Sequence, residues 1–153
     1  MSEFVALFTR ASKLMRGAAD AAMTRHGVRV GQNLVLEALW ERDGQTPGEI
    51  AHRLHVTTPT IVKMATRMDA AGLLTRRRDD RDARLVRLYL TERGRSVRDA
   101  VEAELRALEE RATATLTASE RRHLERALAK IVARLGDVPP VAHEGEDDAA
   151  ALS

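Results

Sequence analysis

At 153 residues, 44% apolar and 31% charged, the chain has room for one globular domain, or for a small domain with helices added around it. Aromatics are only 3%, so the core has to be aliphatic and alanine-packed, a composition that suits helices; the absence of cysteine excludes structural disulfides, thiolate metal sites and thiol redox sensing. The formal net charge is +2, no apolar run approaches the roughly 18–20 residues of a membrane span, and the FVALF run behind Glu3 is too short for a signal core, so a cytoplasmic chain without membrane contact is expected.

The first helix is predicted from Glu3 to about Arg25. Phe4, Leu7, Phe8, Ala11, Met15, Ala18 and Ala22 recur at three- and four-residue spacing on one face, and Gly27 closes it. A second helix follows from about Gly31 to Arg42, anchored by Leu36, Leu39 and Trp40, and Asp43-Gly44 turns the chain. Thr46, Pro47 and Glu49 spell a capping box with a first-turn proline. Ile50, Ala51 and Leu54 make the inner face of the helix so opened, and His55-Val56 is its turn. Thr58-Pro59 repeats the cap-and-proline arrangement, and the next helix runs to Gly72. Two capped helices joined by so short a turn fit a helix-turn-helix.

Leu73 to Arg77 and Leu85 to Leu90 can pair as a hairpin around the charged tip Arg78 to Arg84. Arg87 interrupts the apolar residues of the second run, so one edge or face of it is read as meeting solvent. Thr91 is expected to cap one long helix carrying Val97, Val101, Leu105, Leu108 and Ala112. The capping box Thr117 to Glu120 opens another, with Leu124, Leu128, Ile131 and Leu135 on its inner face and with Gly136 and Pro139-Pro140 at its end. His143 to Ser153 is small-residue-rich, acidic and expected to be disordered.

Charge is distributed unevenly over this plan. From residue 57 to residue 98 there are eleven basic and five acidic residues, whereas Asp137, Glu144, Glu146, Asp147 and Asp148 are followed or accompanied by no Lys or Arg. The positive excess therefore coincides with the helix-turn-helix and hairpin, the footprint of a phosphate-binding surface. The fold class expected is mainly α with a small β-hairpin wing, a winged helix-turn-helix flanked by N- and C-terminal dimerisation helices. Residues 1–136 form one domain, with the winged helix at about 30–90 and the dimerisation helices at about 3–26 and 92–136. Residues 137–153 form an acidic tail. The regular apolar stripes of the outer helices ask for a partner, and a two-fold homodimer would set two recognition helices one DNA turn, roughly 34 Å, apart on a pseudo-palindromic operator. A monomeric bundle that buries the stripes internally is the alternative.

Within the second helix of the motif, Ile61, Met64, Ala65 and Met68 share a core face, leaving Thr60, Lys63 and Arg67 opposite, with Val62 and Thr66 beside them. Lys63 and Thr60 can donate to base edges or phosphate, and Arg67 to phosphate. Thr57 and Thr58 stand where a helix N-terminus meets a phosphate, as caps, DNA contacts or both. Arg76, Arg77 and Arg78 are phosphate contacts or solvated charges, and Asp82 and Arg84 are expected to brace the tip by pairing.

The order of elements, the Asp79-Asp80-Arg81-Asp82-Ala83-Arg84 string (D-x-R-D-x-R), the following Leu90-Thr91-Glu92-Arg93-Gly94 (L-T-x-x-G) and Gly72-Leu73 together resemble the MarR family, the multiple antibiotic resistance regulators. The resemblance covers about residues 4–136. It implies a double-stranded-DNA-binding regulator of bacterial or archaeal type, at the nucleoid, in which Arg81 enters the minor groove and Asp79 orients it. Attraction of a guanidinium to a narrow groove is consistent with that. Many relatives carry a small polar residue where this chain has Val62, which either meets a thymine methyl or tucks under the wing. The resemblance also implies a small anionic or lipophilic effector. Asn33 replaces a usual aromatic and, if buried, needs a ligand, water or backbone partner; Arg16 and Trp40 are further effector candidates.

No cofactor or metal is expected, and no enzyme motif is present: there is no phosphate-binding glycine loop, nucleophile elbow or H-E-x-x-H. His52 and His55 make an H-x-x-H, but a zinc site needs three or four ligands. The reading is a sequence-specific transcriptional regulator, a homodimeric repressor relieved by an effector. The alternatives are a low-specificity architectural DNA binder and a ligand-binding dimer without DNA function.

Overall fold

The structure, a computed structural model, describes residues 1–137; most of the acidic tail (138–153), with Pro139-Pro140, lies outside the described residues. The elements are α1 (Glu3–Thr24), α2 (Gln32–Glu41), α3 (Pro47–Leu54), α4 (Thr58–Ala70), β1 (Leu74–Arg78), β2 (Val86–Leu90), α5 (Glu92–Ser96), α6 (Arg98–Ala112) and α7 (Ala118–Gly136). Helix α1 begins at Ser2, whose hydroxyl accepts from the Val5 amide. After Gly27, at a φ of +74°, the chain is pinned back by Asp20, whose carboxylate takes the Arg29 guanidinium and the Val30 amide. The Val30 amide, helped by Arg29, holds Asp20 below its usual carboxylate range.

Helix α3 opens on the complete Thr46–Glu49 capping box and closes on His55, a non-glycine residue in the left-handed region at φ 55°. That conformation turns the chain sharply into α4, at a cost of about 1–2 kcal/mol for a residue with a Cβ. The side-chain cap expected at the start of α4 is absent. Thr57, not Thr58, is the N-cap residue, and its hydroxyl pairs with that of Thr60 at 2.8 Å instead of with a backbone amide. Pro59 still occupies the first turn, where its missing N–H costs nothing.

The two strands pair antiparallel, Leu74 with Leu90 and Arg78 with Val86 at the ends, one residue further along than expected. Gln45 bridges to Leu88, so residues before α3 extend the ribbon by one more backbone pairing. Gln45 is itself buried; its amide donates to the carbonyls of Ala38 and Arg42 and closes the end of α2. The core lies here: Leu36, Leu39, Ile50, Ile61, Met68, Leu73, Leu74 and Leu88 are fully buried, joined by Met23 of α1 and Val101 of α6.

One joint ties the hairpin to the outer helices. The Thr91 hydroxyl accepts from the Gly94 amide and donates to the Gly72 carbonyl, and Trp40 Nε1 donates to the Gly94 carbonyl at 2.8 Å. A side chain at Gly94 would overlap the Leu73 carbonyl. The single long helix expected after Thr91 is broken at Val97, which stays right-handed (φ −74°, ψ −10°), so the interruption is a hitch between α5 and α6 and not a loop.

Of the inner face expected for α7, Leu124, Leu128 and Leu135 are exposed and Ile131 is half-buried; Val132 beside them is exposed too, and no α7 residue is buried. Phe4, Leu7, Phe8, Leu14 and Met15 of α1 are exposed likewise. A monomeric bundle that hides both stripes within one chain is thereby ruled out. Among the described residues no helix is long and apolar enough to cross a membrane.

Candidate nucleic-acid interface

Helix α4 buries Ile61, Ala65 and Met68 and turns Thr58, Val62, Lys63, Thr66 and Arg67 outward, with Thr57 and Thr60 half-buried at its start. Val62 is 45% exposed, so it does not tuck beneath the wing. Thr66 is held in place: its hydroxyl donates to the Val62 carbonyl and accepts from Arg76 Nη1, while Arg76 Nε pairs with Asp69 at 3.0 Å. Arg76, though exposed, is engaged by Asp69 and Thr66; it ties β1 to α4 and fixes the wing relative to that helix. Arg77 stacks on the Tyr89 ring, its guanidinium carbon 4.0 Å from the centroid, which presses the strand pair together.

The wing tip is organised by Asp79. Its Oδ1 accepts the backbone amides of Arg81 and Asp82, and its Oδ2 accepts from Arg87 Nε at 2.5 Å. Arg87 Nη1 reaches on to the Gly44 carbonyl, anchoring the tip to the loop before α3. These bonds, the Arg87 guanidinium first, lower the Asp79 carboxyl to about 2. Asp79 thus holds Arg81 through its backbone amide, and the guanidinium it holds is that of Arg87. The reason is direction, since the amides of Arg81 and Asp82 turn back toward Asp79 while the Arg81 side chain is exposed. Among the described residues no side chain bonds the Arg81 guanidinium. Asp82 accepts both the Arg84 amide and its guanidinium, which stiffens the far side of the tip and holds Asp82 below its usual range, the Arg84 guanidinium chiefly. A shallow cavity of about 190 Å³ lined by Arg77, Arg78, Asp79, Asp80, Arg81 and Tyr89 completes the surface.

Sequence reasoning found Arg87 no partner beyond a solvent-facing edge or face, and did not single out Tyr89 or Gln45. The signal available for Arg87 was its position opposite Arg77 in the register, where two cations face each other unless each has another partner.

The effector candidates do not come together. Asn33 is buried, and its Oδ1 accepts from the Gly31 amide at 3.0 Å, so the partner of that amide side chain is backbone. Trp40 is committed to Gly94, and Arg16 is exposed on α1. None of the three lines the larger cavity, about 500 Å³, which lies between α1 and α6 over Ala18, Ala21, Ala22 and Ala107 with Arg25, Glu104 and Arg111 around them. There His26 Nε2 and Arg25 both bond Glu104, and these partners, His26 first, keep its carboxyl below the usual range. His52 and His55 gather no third ligand among the described residues.

The family model for the MarR family matches residues 30–86, the stretch that contains α2, the helix-turn-helix, β1 and the wing tip, and ends where β2 begins. An HTH-type transcriptional repressor of Mycobacterium bovis is 28% identical over 125 residues, covering 82% of this chain and 90% of that one. Over residues 30–86 the chain is similar to the MarR family. Another relative, the HTH-type transcriptional regulator TtmR of Methylorubrum extorquens, is 36% identical over 76 residues; the match covers 50% of this chain and spans only 39% of that relative's length.

Solved structures agree in fold over most of the chain. The transcriptional regulator SlyA superposes with a TM-score of 0.80 at 19% identity, covering 89% of this chain and 96% of that one. Reduced AbfR bound to DNA gives 0.69 at 23%, with 87% and 91% covered, and CouR of Rhodococcus jostii bound to p-coumaroyl-CoA gives 0.73 at 23%, with 85% and 91%. At these identities the likeness speaks for the fold. In that fold α4 is the second helix of the helix-turn-helix and the β1–β2 hairpin the wing.

Proposed function

We propose that this chain is a sequence-specific DNA-binding transcriptional regulator, a homodimeric repressor whose hold on DNA is relieved by a small molecule. The observation that carries the reading is the continuity of the exposed face of α4 with a wing tip whose every acidic residue but Asp80 is engaged in bracing and whose Arg81 guanidinium is left to reach outward. Thr57, Thr58, Thr60, Val62, Lys63 and Arg67 meet the major groove, Arg81 the minor groove, and Arg78 and Arg84 the flanking phosphates. Val62, exposed beside Lys63, is assigned a thymine methyl. Similarity to proteins named as repressors, and to a structure with DNA bound, supports the reading.

Dimerisation through α1, α6 and α7 would cover the exposed apolar stripes of α1 and α7 and set two reading heads roughly 34 Å apart. The effector reading is supported by the CouR structure with p-coumaroyl-CoA and by the cavity between α1 and α6, whose alanine floor and flanking Arg25 and Arg111 suit an apolar anion. A ligand that prefers a spacing unsuited to DNA would then shift the equilibrium away from the operator.

The test is fluorescence anisotropy on duplexes tiled from the chain's own upstream region, with a random duplex and two salt concentrations alongside. Tight binding to one tile over the random duplex is expected. Binding that follows salt but not sequence would make the chain an architectural DNA binder, and absence of binding at low salt would sink the DNA reading.

A further inference from the structure

We propose that Arg93 is a positioning residue for the DNA-reading surface: by joining the C-terminal end of α4 to the turn that closes α1, it sets the angle at which α4 and the wing stand against the outer helices. The consequence for DNA rests on the function proposed above; the angle itself does not. Three observations carry the inference.

The first is what the Arg93 side chain holds. Arg93 is the second residue of α5, directly behind the wing. Its Nη1 donates to the carbonyl of Ala71, the C-cap residue of α4. The last carbonyls of a helix lack intrahelical donors and form the negative end of its dipole, so a guanidinium suits them. The other arm lies on Gly27: a Cβ built there would overlap Nη2 and stand 3.4 Å from Cζ. One planar fork thus spans two turns that are far apart in the chain.

The second is that the turn at Gly27 is fixed to the outer helices. The amides of Gly27 and Val28 return to the carbonyls of Thr24 and Met23, with Gly27 in the left-handed region. Just before it, Arg25 and His26 both bond Glu104 of α6. Just after it, Asp20 takes the Val30 amide. A guanidinium seated on this turn is therefore held relative to α1 and α6 together.

The third is leverage. Arg76 ties α4 to β1, and the Thr91 hydroxyl ties the Gly72 carbonyl to the end of the hairpin, so α4 and the wing move as one piece. The 13 residues of α4 are about 20 Å long, and a tilt of about 5° around its C-terminal end moves its first residues by roughly 2 Å. In a two-fold assembly both heads shift. A two-half-site operator reads that change of spacing, and a single half-site does not.

Two variants separate positioning from simple capping. Arg93→Lys keeps a cation beside the Ala71 carbonyl but has no second arm to lay on Gly27, and Arg93→Gln loses both charge and reach. In the full-length, DNA-free protein, backbone N–H residual dipolar couplings give the orientation of α4 relative to α1. Both variants should turn α4 by several degrees while each helix still fits as a rigid body; an unchanged orientation would overturn the proposal. Should Arg93→Gln fail to fold, Arg93→Lys carries the test alone. Anisotropy titrations then compare a two-half-site operator, the same duplex with one base pair added or removed between half-sites, and a single half-site. Both variants should lose roughly tenfold or more on the native spacing, change less than about threefold on the single half-site, and lose less on one altered spacing. Full native-spacing affinity in Arg93→Lys would make Arg93 a helix cap only, and equal losses on every duplex would make its role one of stability; either result overturns the proposal. A chain whose α4 turns in the variants but which binds no duplex would refute the proposed function and leave the angle assignment standing.

Discussion

Arg87 and Asp79 share the contact on which the shape of the wing depends. Arg87 Nε donates to Asp79 Oδ2 at 2.5 Å, while Oδ1 of the same carboxylate gathers the amides of Arg81 and Asp82. Removing Arg87 should therefore loosen the tip that presents Arg81, although Arg87 itself need not touch DNA. Arg81→Ala and Arg87→Ala are each expected to weaken duplex binding roughly tenfold or more, whereas Arg122→Ala on α7 should be near neutral. Hydrogen exchange separates the two causes. Arg87→Ala should deprotect the Arg81 and Asp82 amides, and Arg81→Ala should leave them protected. Equal losses from Arg81→Ala and Arg122→Ala in a binding titration would sink the minor-groove assignment.

The same carboxylate makes the wing acid-sensitive. With the folded Asp79 lowered to about 2, its bracing is fully present above the unfolded carboxylate value of roughly 4 and is lost as pH falls from there through about 2. Amide protection at Arg81 and Asp82 should hold at pH 5 and decay between about pH 4 and pH 2. Asp79→Asn should lose that protection at every pH, because a neutral amide oxygen accepts more weakly and its NH₂ faces the Arg87 donor. Decay centred above pH 5 would place the titration on another group.

Gly94 is required by close approach, since any Cβ would run into the Leu73 carbonyl. Gly94→Ala should separate α5 from the start of the hairpin and strain the Trp40 and Thr91 bonds, at a cost of about 1–3 kcal/mol or more. Gly17→Ala, where a Cβ meets nothing, should be neutral or slightly stabilising through helix propensity. Thermal unfolding of the pair checks this, and equal midpoints would remove the steric argument.

Much of this architecture was legible because it is written in local chemistry. Capping boxes at Thr46–Glu49 and Thr117–Glu120 announce helix starts wherever they occur, and the Gly72-Leu73 and L-T-x-x-G strings turn out to be two halves of one joint. What stayed hidden depends on pairings distant in sequence. Gln45 closing α2 while bridging Leu88, and Arg87 reaching both Asp79 and Gly44, leave no periodic trace. The Thr57 hydroxyl escaped for the opposite reason. Cap statistics favour a threonine there, but a second hydroxyl at Thr60 offers a competing partner one turn away. At the candidate site the positions on α4 were readable from helical spacing. The arrangement of the wing charges was not, because which arginine an aspartate holds is decided by the hairpin's three-dimensional turn.

The unburied stripes of α1 and α7 lead to a prediction about assembly. In the single chain Phe4 is 60% and Leu135 64% exposed, with Leu7, Leu14, Leu124, Leu128 and Val132 also open to solvent. Exposed apolar side chains in continuous rows are rare on monomers and mark an interface. A charge placed in the row should cost little in an isolated chain, where the position is already wet, and much in a dimer, where it would be desolvated without a partner. Leu7→Glu/Leu128→Glu is therefore expected to run as a monomer in light scattering while keeping the helical signal of the reading domain. Its affinity for a two-half-site operator should fall roughly 10²-fold or more, because the second head no longer binds as an intramolecular event, and its affinity for a single half-site should change little. The unfolding midpoint of the unmodified chain should rise with protein concentration and that of the variant should not. A wild-type chain that scatters as a monomer at tens of micromolar would contradict the assignment and leave the stripes for a different partner.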